Sequence, residues 1–161
     1  MVVRQTILDR RPLIPLAYGG RSVFHTTSAG NIGALIVRAA ALSGKRILNI
    51  ADPAALPVSD IATCILARFD YSGRLVALAD EANYPPRLGW TPWSVQRPFV
   101  LDTAAATALG YRPTATYPQT AAHVCEWLVD ATADRDWREL FPTLAAYPQD
   151  LFDYRREDAA L

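Results

Sequence analysis

Lysine is nearly missing from this chain: of sixteen basic residues only Lys45 is a lysine, and the sixteen are balanced by sixteen acids. With no excess of either sign, the chain lacks the electrostatic footprint that marks binding to nucleic acid or to an anionic membrane surface. Histidine and cysteine are scarce as well. His25 and His123 have no second histidine or cysteine at ligand spacing, which argues against a metal site. Cys64 and Cys125 lie far apart inside helical apolar patterns and read as buried free thiols, with a disulfide or a nucleophile as the alternatives. Long hydrophobic runs are absent: no window reaches eighteen uninterrupted apolar residues, so no spanning helix is expected. The opening MVVRQTILDRRPLIPLAYGG lacks the apolar region and small-residue cleavage site of a signal peptide. A soluble, cytoplasmic protein with neither nucleic-acid nor membrane partners is the expectation.

What is present suits a folded globular domain. Hydrophobic residues make up 51% and charged residues 20% of 161 positions, enough for a single domain over residues 1–161 with its own core. The pattern predicts an α/β chain in two parts: strand–helix–strand–helix over residues 1–79, then a loop and helices over 80–161. A short strand near Leu13 follows the end of a helix and is confined to an edge by Pro12 and Pro15. Gly19-Gly20 makes a turn, and RSVFHTT has strand composition. Ser28 caps a helix whose apolar face is Ile32, Leu35, Ile36, Ala39 and Ala40. RILNIA reads as a strand buried on both faces. A second helix buries Val58, Ile61, Ala62, Ile65 and Phe69, and GRLVALA reads as a further strand. The proline- and tryptophan-rich stretch from Asp80 to Pro98 is an ordered loop or lid, a length often tied to function. Beyond it, Asp102 caps a short alanine-rich helix ending at Gly110. TYPQ opens a helix with Ala121, Val124, Cys125 and Leu128 on one face. A last helix runs through Trp137, Leu140, Phe141 and Leu144.

The stretch from Phe24 to Asp52 has the rhythm of a dinucleotide-binding turn. Gly30 and Gly33 occupy the last two glycine positions of that fingerprint, and Asp52 lies about twenty residues on, where a ribose-binding acid belongs. Thr27 stands where the first glycine is needed, and its side chain crowds the turn that receives the pyrophosphate. The preferred reading is a helix start packed closely on a strand, with no cofactor bound.

Another set of motifs covers residues 10–130 in order: RSVFHTTSAG, with Arg21 four residues before His25; ILNIAD; LPVSDIA; LDTAAATALGYRP; and HVCEWLVD. Together they resemble the segments that follow the catalytic residues in extended short-chain dehydrogenases/reductases, the family of NAD-dependent epimerases and dehydratases. The resemblance implies a partial Rossmann-like sheet joined to the mostly helical substrate-binding region of that family, and a nucleotide-sugar or other small-molecule substrate. Departures are specific. Ser28 replaces the family's acid after the histidine, and the alanine-rich helix lacks its lysine. The family's glycine-rich cofactor turn and Tyr-x-x-x-Lys pair are not found here, since Lys45 has Ala41 four residues before it. That pair makes a phenol acidic enough to exchange a proton during hydride transfer. No catalytic residue and no cofactor are therefore expected of this chain, although NAD or NADP is implied for a complete family member.

Substrate recognition is what the resemblance leaves. It puts Arg21 where a guanidinium contacts a substrate phosphate, against the plain alternative of a solvated arginine at a strand start. His25 is either a ligand contact or a packed, hydrogen-bonded histidine. Arg87 and Trp93, in a loop that also holds Tyr84, Trp90 and Arg97, suit stacking on a base or sugar, or else cover the core. Three functional readings follow: a truncated or split family member, an incomplete reading frame, and a non-catalytic module that pairs with itself, or with a complementary N-terminal half, through an exposed domain interface.

Overall fold

The computed structural model describes residues 9–79, 83–148 and 152–161. Its architecture is mixed helix and strand around a small parallel sheet. The first strand, β1 (Leu13–Leu16), pairs in parallel with β2 (Arg74–Ala77), Leu13 opposite Arg74 and Leu16 opposite Ala77. Backbone bonds from Arg74 to Pro12 and from Leu78 to Leu16 extend the ladder at both ends. Pro15 is tolerated inside β1 because a two-stranded sheet has only edges. The helix end expected before β1 lies outside the described residues.

Between the strands come two helices, α1 (Ala29–Ala40) and α2 (Val58–Arg68). After β2 follow α3 (Ala104–Ala108), α4 (Tyr117–Ala131), α5 (Trp137–Leu140), α6 (Pro142–Ala145) and α7 (Tyr154–Ala160). The predicted face of α2 is the buried one: Val58, Ile61, Ala62 and Ile65 are all inside. With Ile14, Leu16 and Cys125 they form the main core, with Leu75, Phe69, Trp93 and Tyr117 packed around it. Each such large apolar side chain contributes about 1.5–3 kcal/mol by leaving water. A separate cluster of Leu35, Ala106 and Tyr111 joins α1 to α3, with Leu48 and Ile50 against it. The capping box at Thr116 and Gln119 starts α4 as expected, but Val124 stays exposed while Cys125 and Leu128 turn inward. The expected last helix is split at Phe141 into α5 and α6, because Pro142 brings no amide donor to continue the first.

Two expected strands are not strands. RSVFHTT is extended but pairs only through single bridges, Val23 to Pro57 and Phe24 to Phe99. RILNIA forms no ladder at all, and instead of being buried on both faces it leaves Ile47 99% exposed. Its apolar run was matched to a parallel sheet, but no described strand lies beside it.

The helix α1 also differs from its pattern. Ser28 caps it by accepting from the Asn31 amide, yet of the expected face only Leu35 is buried, while Ile32 and Ile36 face outward. The helix is rolled so that Asn31 points inward, fully buried, into a polar knot. Asn31 Nδ2 donates to Asp52 Oδ1 (2.9 Å) and to the Ala115 carbonyl (3.0 Å), while its Oδ1 accepts from the Thr114 amide (2.8 Å). Thr26 Oγ1 donates to Asp52 Oδ2 (2.6 Å), and the Asp52 amide donates to Thr26 O (2.8 Å). One amide side chain thus holds three segments distant in sequence. Asn31→Ala leaves a buried carboxylate oxygen and the 114–115 backbone short of partners, each costing about 1–3 kcal/mol. Urea denaturation is expected to show a loss of about 3 kcal/mol or more, well beyond that of an exposed-site control such as Ile36→Ala.

At the far end, α7 is fastened to the residues that enter β1. Arg11 pairs with Asp158 and lies over the Tyr154 ring at 4.6 Å, and Tyr71 donates its hydroxyl proton to the Arg11 carbonyl. Glu157 has a buried Oε2 without a partner. Desolvation raises its pKa above 4.5, against the opposing pull of Arg11 and with help from Asp158 and Asp153. A carboxyl raised on folding adds stability that is complete below its unfolded pKa and is lost as pH rises through its folded value. Lowering pH from neutral through that window should strengthen the seat of α7, and Glu157→Gln should remove that component. Hydrogen exchange of the α7 amides, compared between the two proteins across pH 4–7, measures it.

Candidate functional site

Because β1 and β2 run parallel, their carboxyl ends lie on one side, the position where parallel sheets generally receive ligands. Two tight turns meet there. The first, Ala17–Gly20, follows β1 and carries positive φ at Tyr18 (54°), Gly19 (63°) and Gly20 (71°). The second carries positive φ at Arg87 (66°) and Gly89 (68°). They are bonded to each other and to the strand ends: the Ala17 amide donates to Gly89 O (2.9 Å), and the Gly19 amide to Leu78 O (2.8 Å). A Cβ at Gly89 would stand 2.9 Å from Ala17 N and from Pro15 C, so the turns touch only because that residue is glycine. Tyr18 and Arg87 have no such freedom. A left-handed conformation costs a residue with a side chain about 1–3 kcal/mol, and strain of this kind clusters at binding sites.

The two turns present a defined surface. Trp90, partly exposed, lies 6.1 Å from the Tyr18 ring and beneath the Arg87 guanidinium, 5.6 Å from the indole centroid. Arg21 is exposed and folds back over Gly19. Among the described residues neither arginine has an acidic partner within ion-pair distance. Ser22, buried beside them, accepts from the Val95 amide (3.0 Å) and donates to the Val95 carbonyl (2.8 Å), pinning the Trp-rich loop to the strand ends.

The four residues nominated from sequence separate into two pairs. Arg87 lies over Trp90 at this surface, and Arg21 lies over Gly19 in the turn that carries Tyr18. His25 instead uses both ring nitrogens on backbone: Nε2 donates to Asp52 O (2.9 Å), and Nδ1 accepts from the Leu101 amide (3.2 Å). That pattern puts the imidazole proton on Nε2 and suits a packed histidine. Trp93 packs into the main core and meets Tyr117 edge-on at 6.4 Å. Tyr18 was missed, and its signal was the Tyr-Gly-Gly turn directly after a strand. Trp90 and Trp93 have the same local pattern in the loop, so sequence does not separate the exposed one from the packed one.

Other chemistry is disfavoured by placement. Asp52, the candidate ribose ligand, is buried and held by Thr26 and Asn31. Both cysteines are free thiols, and partial burial together with Asp60 pushes the Cys64 thiol up, the wrong direction for a nucleophile. Burial likewise pushes the Tyr117 phenol up, away from acid–base use near neutrality. An open groove of about 390 Å³ between Arg68, Phe69, Glu126, Val129 and Asp130 holds none of the four nominated residues. Among the described residues no histidine, cysteine or carboxylate cluster could hold a metal ion, and no helix is long and apolar enough to cross a membrane.

Comparison with family models, with curated proteins and with solved structures gives no match to this chain. The turns therefore stand on their geometry. Gly89→Ala is expected to cost about 2 kcal/mol or more through its left-handed φ alone, and further through backbone contact, read as a lowered midpoint in thermal unfolding.

Proposed function

We propose that this protein binds an anionic small molecule bearing a ring, of the nucleotide-sugar class, where the Ala17–Gly20 turn meets the Arg87–Trp90 loop. The observation that carries this reading is the meeting of two left-handed turns at the carboxyl ends of parallel strands, which sets Arg21 and Arg87 beside Tyr18 and Trp90. Guanidinium groups suit phosphate oxygens, in one plane and with fixed donor spacing. An indole and a phenol offer flat faces for a base or sugar, at about 1–3 kcal/mol per stacked base. The motif resemblance points the same way, toward the substrate side of an extended dehydrogenase/reductase with a partly Rossmann-like sheet. On this reading the chain recognises and orients its ligand, while hydride chemistry belongs to a glycine-rich turn and a Tyr-x-x-x-Lys pair that its 161 residues do not contain.

Calorimetric titration with UDP-glucose, UMP, NADH and NADPH tests the proposal. UDP-glucose is expected to bind, UMP more weakly, and the two nicotinamide nucleotides not measurably. Trp90→Ala and Arg87→Ala are each expected to weaken UDP-glucose binding about tenfold, equivalent to about 1.4 kcal/mol. Tight NADH or NADPH binding, or equal affinity in both variants, would defeat this reading.

A further inference from the structure

A second feature lies away from those turns, on residues 45–51. They carry no helix, turn or bend, and none of their amides or carbonyls has a hydrogen-bond partner among the described residues. Native chains pair nearly all such groups unless water reaches them, and a row of free donors and acceptors is a template for another strand. Side chains alternate along it: Leu48 and Ile50 pack inward on Leu35, whereas Ile47 points out and is 99% exposed. Beyond Leu35, α1 turns an uncovered apolar face to solvent. Ile36 and Val37 are 62% and 74% exposed, and a Cβ added at Gly33 would meet nothing within 4 Å.

Charge says what covers this edge. Residues 21–51 hold Arg21, Arg38, Lys45 and Arg46 and no acid. Among the described residues Arg38, Lys45 and Arg46 are exposed and form no ion pair. Pairing this edge with its own copy would bring no acid to Lys45 and Arg46, because the segment contains none. We propose that residues 45–50 accept a β-strand from a different polypeptide, one that alternates apolar with acidic side chains. Its backbone completes the free ladder, its apolar side chains cover Ile47 on one face, and its carboxylates, on the other face, meet Arg46.

Fluorescence anisotropy with a labelled octapeptide alternating valine and glutamate, against its valine–lysine counterpart, tests this on the whole protein. The acidic peptide is expected to bind at least tenfold more tightly than the basic one, to weaken as salt is raised, and to slow hydrogen exchange at residues 46–50. Ile47→Pro removes one edge amide at an exposed side chain, and should lower acidic-peptide affinity at least tenfold with the unfolding midpoint unchanged. Equal binding of both peptides, binding of neither at millimolar concentration, protection elsewhere, or unaltered affinity in Ile47→Pro each overturns the proposal. So does a concentration-dependent dimer that Ile47→Pro dissociates, which assigns the edge to a second copy. The ligand reading is independent, because Ile47→Pro leaves Trp90 and Arg87 in place and should bind UDP-glucose as the parent does.

Discussion

The buried carboxylate of Asp52 is the constraint around which the first half of the chain is arranged. A charge taken out of water must be surrounded by donors, and here the donors are the Asn31 amide and the Thr26 hydroxyl. Meeting that demand decides the roll of α1, since Asn31 has to face inward, and it brings residues 114–115 against the start of the helix. It also holds 24–26 beside 50–52, with His25 adding its own bond to the Asp52 carbonyl. Two hydrophobic clusters, one under α2 and one between α1 and α3, are thereby set relative to each other by polar groups rather than by shared apolar contact. Apolar packing tolerates small slips; a hydrogen-bonded carboxylate does not.

The surface at the strand ends rests on a different device. Strain at Tyr18 and Arg87 is held by the close approach of two turns, and the approach depends on an absent side chain at Gly89. The backbone positions from which the aromatic and cationic groups project are thus fixed. Such fixed placement lowers the ordering cost of binding a ligand.

Sequence patterns were most legible where burial and periodicity agree. The face of α2, the capping box of α4, the Ser28 cap and the short strand at Pro15 all follow from spacing and local stereochemistry. Patterns misled where a polar group overrode them. The apolar stripe of α1 is real, but the need to bury Asn31 turned it to solvent. RILNIA has the composition of a central strand, and composition does not say whether a neighbouring strand exists. Within the candidate site, Arg87 is suggested by its aromatic-rich loop and Arg21 only by the motif resemblance. Tyr18 is not, because its role depends on a left-handed backbone and on a loop seventy residues away in sequence meeting it at Gly89. The choice of Trp93 over Trp90 shows the same gap: only packing separates a tryptophan that fills a core from one that faces outward.

The fastening of α7 makes the chain mechanically closed. Arg11 and Asp158 tie the carboxyl-terminal helix to the entrance of β1, and Arg156 donates to the Pro86 carbonyl (2.9 Å), directly before Arg87. A pulling force applied at Leu161 would therefore travel two ways at once. One branch reaches the entrance of β1 through Arg11; the other reaches the loop that carries Arg87 and Trp90. The helix α7 is thus a handle on both the sheet and the proposed binding surface.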